Sequence, residues 1–578
     1  MKPLFILILM RRIILLLILL TLFTAKGHPQ TAALQRQGTA TQLIVDGKPF
    51  LILGGELGNS SASSVQDIER IFPKLQRMGL KTVLVPAYWD LTEPTEGHFD
   101  FTLTDKVLQQ ARRNNLKVVF LWFGAWKNSM SCYAPLWFKE NHKKYPRAYT
   151  QTGKPLEIAS AFSENVYQAD NRAFSAWLQH IAAIDKEEGT VIMVQIENEI
   201  GMLEDARDYS QEADKAFHAP VPTELINYLQ KNKKTLHSQM IKKWESQGCK
   251  KQGAWQEVFG ADIYTDEIFM AWHYARYVER MAQTARSIYN VPLYVNAAMN
   301  SRGRKPGEYP SAGPLAHLID VWRCGAPNID ILAPDLYDDG FTNWVAQYKL
   351  HNNPLFIPEI RLTDNNGVRA FYIFGEHDAI GISPFSIEDG SDSSDSPLVQ
   401  SYTRLKELMP LLTEYQGKGM MKGLLFNQKD KERIIMDDDL SITCRHYFTL
   451  PWDPRATDGS AWPEGGGLIL KLSKNEYIVA GSGIVLEFTK ASEKPGSEIR
   501  KQLGEDGFAL SNEQIKTKKE RFQGMRCGIG HVDEVEVDKE GKFRYIRRLN
   551  GDQDHQGRHV RISVGEFKIL DVRLYEYQ

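Results

Sequence analysis

Through the first two thirds of the chain, short unbroken apolar runs alternate with longer stretches whose apolar positions recur every three or four residues. The runs fall at Phe50 to Gly55, Thr82 to Tyr88, Lys117 to Phe123, Val191 to Ile196, Leu293 to Ala297, Ile329 to Ala333, Leu355 to Ile360 and Ala379 to Pro384. Runs without in-and-out alternation are the pattern of parallel strands covered on both faces. The intervening stretches have helical period; Ser64 to Met78 sets Val65, Ile68, Ile71, Phe72, Leu75 and Met78 at three- and four-residue steps. Eight such units predict an α/β fold, a closed (β/α)8 TIM barrel enlarged by insertions beyond the usual ~250 residues. The longest insertion, Leu203 to Gly260, follows the fourth strand, and its lysines from Lys231 to Lys251 read as a solvated helix face.

The pattern changes on either side of this region. Gln42 to Phe50 reads as a strand, an Asp46-Gly47 turn and the start of a second strand. After the eighth run, a polar loop at Asp389 to Pro397 leads into a helical stretch, Leu398 to Tyr415, and Gly417-Lys418-Gly419 marks a boundary. Beyond it come short runs punctuated by turns, such as Gly467 to Leu472, Glu476 to Gly481 and His559 to Val564. These predict a C-terminal all-β sandwich. The expected domains are a barrel over 40–416 and a sandwich over 417–578.

The N-terminus adds a location. Lys2, Arg11 and Arg12 flank apolar runs that end near Ala25, the pattern of a cleaved signal peptide over 1–25, with Met10 an alternative start. Export to the periplasm or the medium is therefore expected. Five cysteines, widely spaced and odd in number, are not the density of a disulfide-stapled scaffold, and no pair has zinc-ligand spacing. A net charge of −2 argues against nucleic acid as a partner, while 12 Trp suit a protein that meets the flat faces of sugars.

Catalytic groups of such barrels sit where strands end at the C-terminal face, so polar residues there are the first candidates. The fourth strand ends in Glu197-Asn198-Glu199 and the seventh in Glu359. Glycoside hydrolysis needs one carboxylic acid to protonate the departing oxygen and one carboxylate to attack or assist at the anomeric carbon, and two strands can hold such a pair rigidly. Glu199 is the expected general acid/base and Glu359 the nucleophile. Asn198 is expected on the sugar 2-hydroxyl, with a strand-end cap as the alternative; Glu56, ending the first strand, on other hydroxyls or in a structural ion pair; and Tyr337 on the nucleophile or packed in the core. Trp126 and Asn128, closing the third strand, are a candidate stacking platform and polar anchor. Glu93 and Glu197 are read as barrel-rim ion-pair partners. His98, His273 and His377 lack metal-ligand spacing, and the acidic tract at Asp389 is not a complete calcium loop, so neither a metal nor another cofactor is implied.

The segments Gln195-Ile-Glu-Asn-Glu-Ile-Gly201 and Trp89-Asp-Leu-Thr-Glu-Pro94, with Glu96, Gly97 and Phe99, resemble glycoside hydrolase family 35, the β-galactosidases. Ile200, Asp90 and Pro86 depart from the family's usual Tyr, Asn and Tyr. The tail resembles the sandwich of unknown function that follows the barrel in a bacterial branch of that family. The resemblance implies a retaining exo-enzyme acting on terminal β-galactosyl residues of a carbohydrate substrate. A related β-glycosidase, an α-L-arabinosidase and a non-catalytic carbohydrate-binding protein are the alternatives.

Overall fold

A computed structural model describes residues 32–300, 303–350, 353–493 and 524–578; the expected signal peptide lies outside these. Among them no helix is long and apolar enough to cross a membrane. Eight parallel strands close into a barrel: β1 Ile52–Glu56, β2 Thr82–Tyr88, β3 Lys117–Lys127, β4 Val191–Asn198, β5 Leu293–Ala298, β6 Ile331–Leu336, β7 Phe356–Ile360 and β8 Gly381–Pro384. Each pairs with its neighbours in chain order, and β8 returns to β1. Their residues are almost all buried because helices cover the outside of the barrel.

The covering helices are α1 Val65–Arg77, α2 Thr102–Arg113, α3 Glu164–Asp185, α4 Ile263–Ile288, α5 Ile319–Gly325, α6 Phe341–Gln347, α7 Asn366–His377 and α8 Pro397–Tyr415. α1 illustrates how the sequence sets their limits. The Ser64 hydroxyl accepts from the Asp67 N–H at 3.1 Å, which caps the first turn. Ile68, Ile71, Phe72 and Leu75 face inward, and Gly79, at φ +80°, takes the left-handed turn that stops the helix. The insertion after β4 forms four short helices, Gln211–His218, Thr223–Lys231, Ser238–Glu245 and Trp255–Phe259. Its Lys231, Lys233, Lys234, Lys250 and Lys251 are exposed.

Upstream, Ala32–Gln37, Ala40–Val45 and Lys48–Phe50 make a three-stranded antiparallel sheet. Its second turn has positive φ at both Asp46 and Gly47, the geometry that favours Asp-Gly in two-residue hairpins.

Downstream, the tail is a sandwich of two antiparallel sheets. Its strands are β9 Met421–Phe426, β10 Glu432–Asp437, β11 Leu440–His446, β12 Gly465–Ser473, β13 Glu476–Ser482, β14 Ile484–Lys490, β15 Arg526–Val537, β16 Phe543–Leu549, β17 Val560–Ile562 and β18 Lys568–Tyr577. One sheet runs β9-β12-β13-β18-β15-β16 and the other β10-β11-β14-β17. One apolar core, with Ile442, Leu486, Val479 and Leu570, lies between the sheets. The other face of the larger sheet joins the barrel core through Leu468, Leu470, Ile478 and Ile569.

α7 lies directly on that face. A Cβ on Gly375 would come within 2.7 Å of the Leu468 Cβ and 3.1 Å of the Gly423 Cα, so glycine at 375 is what lets helix and sheet touch. Arg369 of the same helix makes a two-pronged pair with Glu464, at 2.7 and 2.8 Å. All five cysteines are free thiols.

Candidate active site

Five ionisable side chains converge at the C-terminal ends of the barrel strands: Glu56 from β1, Lys127 from β3, Glu199 just past β4, Asp335 from β6 and Glu359 from β7. Glu199 and Glu359 are each 4% exposed. Around them, Asn128 is exposed and Tyr337 half-buried, so these two stand on the open side.

The backbone explains how the groups meet. Up to Trp122 the strand β3 pairs regularly with β4, opposite Ile196; the next partners are Lys127 and Asn198, so four residues of β3 face the single residue Glu197. This bulge re-aims the end of β3. Asn128 and Ser129, at φ +49° and +70°, then turn the chain, and their N–H groups donate to the carbonyls of Asn198 (3.2 Å) and Glu199 (3.1 Å). Glu197 on β4 and Glu199 just past it have φ of +59° and +46°. Non-glycine residues held in this region cost on the order of 1–3 kcal/mol each and persist where surrounding contacts enforce them.

The twist sends the two glutamates apart. Glu197 turns toward the helices, accepting from the Trp126 N–H at 2.8 Å and facing Asp170 of α3. Burial first, and then the Asp170 charge, push Glu197 well above the usual carboxylate range, so it keeps its proton and donates to Asp170. Asp170 also accepts from Trp122 Nε1 (2.9 Å) and the Tyr277 hydroxyl (2.8 Å). Gly124 is required beneath this pair: a Cβ there would lie 2.7 Å from a carboxylate oxygen of each acid. Glu197, expected from the sequence to be an ion-pair partner, is not one: among the described residues no salt bridge reaches it. Glu93 is one: Arg172 donates to it at 2.7 Å.

Glu199 turns into the barrel mouth. Its N–H donates to Asn296 Oδ1 at 2.9 Å, Asn296 Nδ2 donates to Asp335 Oδ2 at 2.7 Å, and Asn128 Nδ2 donates to Glu199 Oε2. Burial, followed by the negative Glu359, pushes Glu199 up to about 7, against the opposing pull of Lys127. Glu359 accepts from the Tyr337 hydroxyl and shares a hydrogen bond with the Glu56 carboxyl. Burial and the Glu359 charge hold both Glu56 and Asp335 well above the ordinary range. Among the described residues, Lys127 is the cation that acts on Glu56, Glu199 and Asp335. Burial alone would lower it, yet Glu359, Glu199, Glu56 and Asp335 together keep it above the ordinary lysine value. Its ammonium has no salt-bridge partner within reach among the described residues and stands 5.1 Å from the centre of the Phe123 ring.

The structure therefore brings Glu56, Glu199, Glu359, Tyr337 and Asn128 together. Asn198 is buried beside them, with neither side-chain polar atom hydrogen-bonded. Trp126 needs correction as a stacking platform. It is 0% exposed, with its ring wedged edge-on against Tyr274 and Tyr277 of α4 at 5.6 and 4.8 Å, so no sugar ring can reach its face. Trp126→Ala is accordingly expected to lower unfolding free energy by about 3–5 kcal/mol, read by urea denaturation. A raised KM at unchanged stability would restore the platform.

Sequence reading passed over Lys127, Asp335 and Asn296. Asp335 could have been found, since it closes the sixth strand two residues before Tyr337.

Comparison with known proteins places the barrel. Residues 60–292 match the glycoside hydrolase 42 family model, described as beta-galactosidase. The barrel segment is thus beta-galactosidase-like, and the match falls on family 42 instead of the family 35 that the motifs resemble. It includes Glu199 but ends before Glu359. Residues 398–561 match a domain of unknown function, DUF5597. A beta-galactosidase of Xanthomonas manihotis is 25% identical over 180 residues, 29% of this chain and 27% of that protein. The chain spans about a quarter of the length of that curated relative. Among solved structures, the beta-galactosidase of the psychrophilic Marinomonas ef1 gives a TM-score of 0.41 at 13% identity, covering 62% of this chain and 60% of its own. A catalytic mutant of Gan42B, a GH42 beta-galactosidase from G. stearothermophilus, gives 0.43 at 14%, covering 64% and 57%.

Proposed function

We propose that this chain is a retaining exo-glycosidase that removes terminal β-galactosyl residues from oligo- or polysaccharides by double displacement. One observation carries the reading: two strand-end glutamates, each 4% exposed, act on each other at the barrel mouth, where burial and the Glu359 charge raise Glu199 to about 7. Glu199 therefore suits the acid that protonates the leaving oxygen. Glu359, supported by the Tyr337 hydroxyl and the Lys127 charge, suits the nucleophile. Once Glu359 is glycosylated its charge is gone, the main electrostatic reason for Glu199 to stay protonated goes with it, and Glu199 can then take a proton from water.

Both carboxyls feel Glu56, Asp335 and Lys127. Retention follows from the nucleophile role given to Glu359 and goes with a carboxyl spacing of about 5 Å. The low exposure of both groups suits a pocket for one terminal sugar, and Asn198 can meet its 2-hydroxyl. No step requires a cofactor. The match to a beta-galactosidase model supports galactose as the sugar, and the charged and apolar N-terminal pattern supports export. The family 35 motifs fit the same mechanism, because they include the acid that ends the fourth strand, and the family 42 match spans that residue.

A panel of nitrophenyl glycosides tests the reading. The β-galactoside is expected to turn over fastest, ahead of the β-glucoside and α-L-arabinoside, with the β-anomer of galactose seen first by NMR. The α-anomer as first product would replace double displacement by inversion. Sugar binding without turnover of any glycoside would make the chain a binding protein.

A further inference from the structure

Within the sandwich, one side chain is fixed in place without being used by the core. Trp452, in the loop after β11, is 50% exposed. The His555 ring stacks on it, centroids 4.8 Å apart and planes 29° from parallel. His559 lies 4.7 Å from His555 and is held by Glu487 Oε1 at 3.0 Å. The Arg561 guanidinium also lies 5.6 Å from the centre of the indole ring. Held by these neighbours with half its surface still accessible, the indole keeps a set orientation, so little side-chain freedom remains to be lost on binding.

Trp452 lines a cavity of about 460 Å³, within the ~300–1,000 Å³ of small-ligand sites. Arg547, Asp552, Gln553, Arg561, Glu566 and Lys568 are among its other lining residues, mixing donors with acceptors. Two of its three cations are paired, Arg547 with Glu534 at 2.8 Å and Lys568 with Glu566, while Arg561 donates to the Gln553 carbonyl at 3.0 Å. With Asp552 as a third acid the charges balance, so the site offers hydrogen bonds without a net charge, which suits hydroxyl groups better than a polyanion. A flat aromatic face beside mixed polar groups matches a pyranose ring, apolar on its C–H face and polar around its edge.

We propose that this cavity is a non-catalytic binding site for a neutral glycan chain, with Trp452 stacking on one sugar ring. All of its residues belong to the sandwich, so the site does not depend on the reading of the barrel.

The test is affinity electrophoresis of the full chain carrying Glu359→Gln, in native gels containing soluble β-1,4-galactan, galactosylated xyloglucan or, as an anionic control, polygalacturonate. Retardation by a neutral polymer is expected, weakened about tenfold or more by adding Trp452→Ala, the scale of losing one aromatic anchor. Trp452→Ala alone should keep aryl galactoside turnover within about twofold, as expected for a surface change remote from the barrel mouth. Gln553→Ala, at the exposed rim, decides the matter if Trp452→Ala lowers the melting temperature. Retardation by neither neutral polymer, retardation by polygalacturonate only, or retardation that survives both substitutions overturns the proposal. If aryl glycosides are never cleaved but Trp452→Ala still abolishes retardation, the glycosidase reading fails and this one stands.

Discussion

Glu359→Gln is expected to abolish glycoside turnover, by roughly four orders of magnitude or more, while leaving the protein folded. The amide keeps the shape of the side chain but cannot attack the anomeric carbon. The Tyr337 hydroxyl still finds an acceptor in the amide oxygen, so local packing survives. A fluorinated galactoside that traps the glycosyl-enzyme should label the wild-type protein at Glu359 and leave Glu359→Gln unlabelled, by mass spectrometry of peptides. Labelling that persists in the variant would move the nucleophile elsewhere.

For Glu199 the expected result is a pH profile. Because its carboxyl is raised to about 7, the acid form dominates below that pH, and kcat/KM for substrates with poor leaving groups should fall as pH rises through it. Glu199→Gln should remove this alkaline limb and cost about 10²–10⁴-fold on such substrates, the range for general acid catalysis. Activated aryl galactosides, whose leaving group needs little protonation, should lose far less in their first step. The sign of the electrostatics gives an independent check. Lys127 lowers Glu199, so Lys127→Met should move the alkaline limb to higher pH; a limb that stays put or moves down would detach it from Glu199. The same shift bears on stability. A carboxyl whose folded-state value is raised favours the folded state most at low pH, below the unfolded value of 4.5, and that contribution is lost as pH rises to about 7.

Much of the barrel was legible because its strands are continuous apolar runs, and their ends pointed to Glu56, Glu199 and Glu359 before any coordinates. The sandwich, too, could be read from its short runs and turns. What pattern-counting missed lies where the backbone leaves ideal geometry. Alternation along β3 cannot be counted through the bulge from Phe123 to Trp126. Trp126 was therefore assigned to the sugar while Lys127, its neighbour, was passed over. Likewise Glu197 and Glu199 share a face on a regular strand, and only their positive φ angles send one toward Asp170 and the other into the mouth. The β3 bulge holds Gly124, but the turn at the end of β4 has no such signature, since no glycine or proline occupies 197 or 199.

The seating of α7 on the sandwich has a mechanical consequence. That helix follows directly from the strand bearing Glu359, and its outer side is pressed against a second domain, with Gly375 and the Arg369–Glu464 clasp removing the slack. The tail therefore works as a buttress behind one stave of the barrel. Precision in where that carboxylate sits is set partly by residues far down the chain, and the two domains form a single load path.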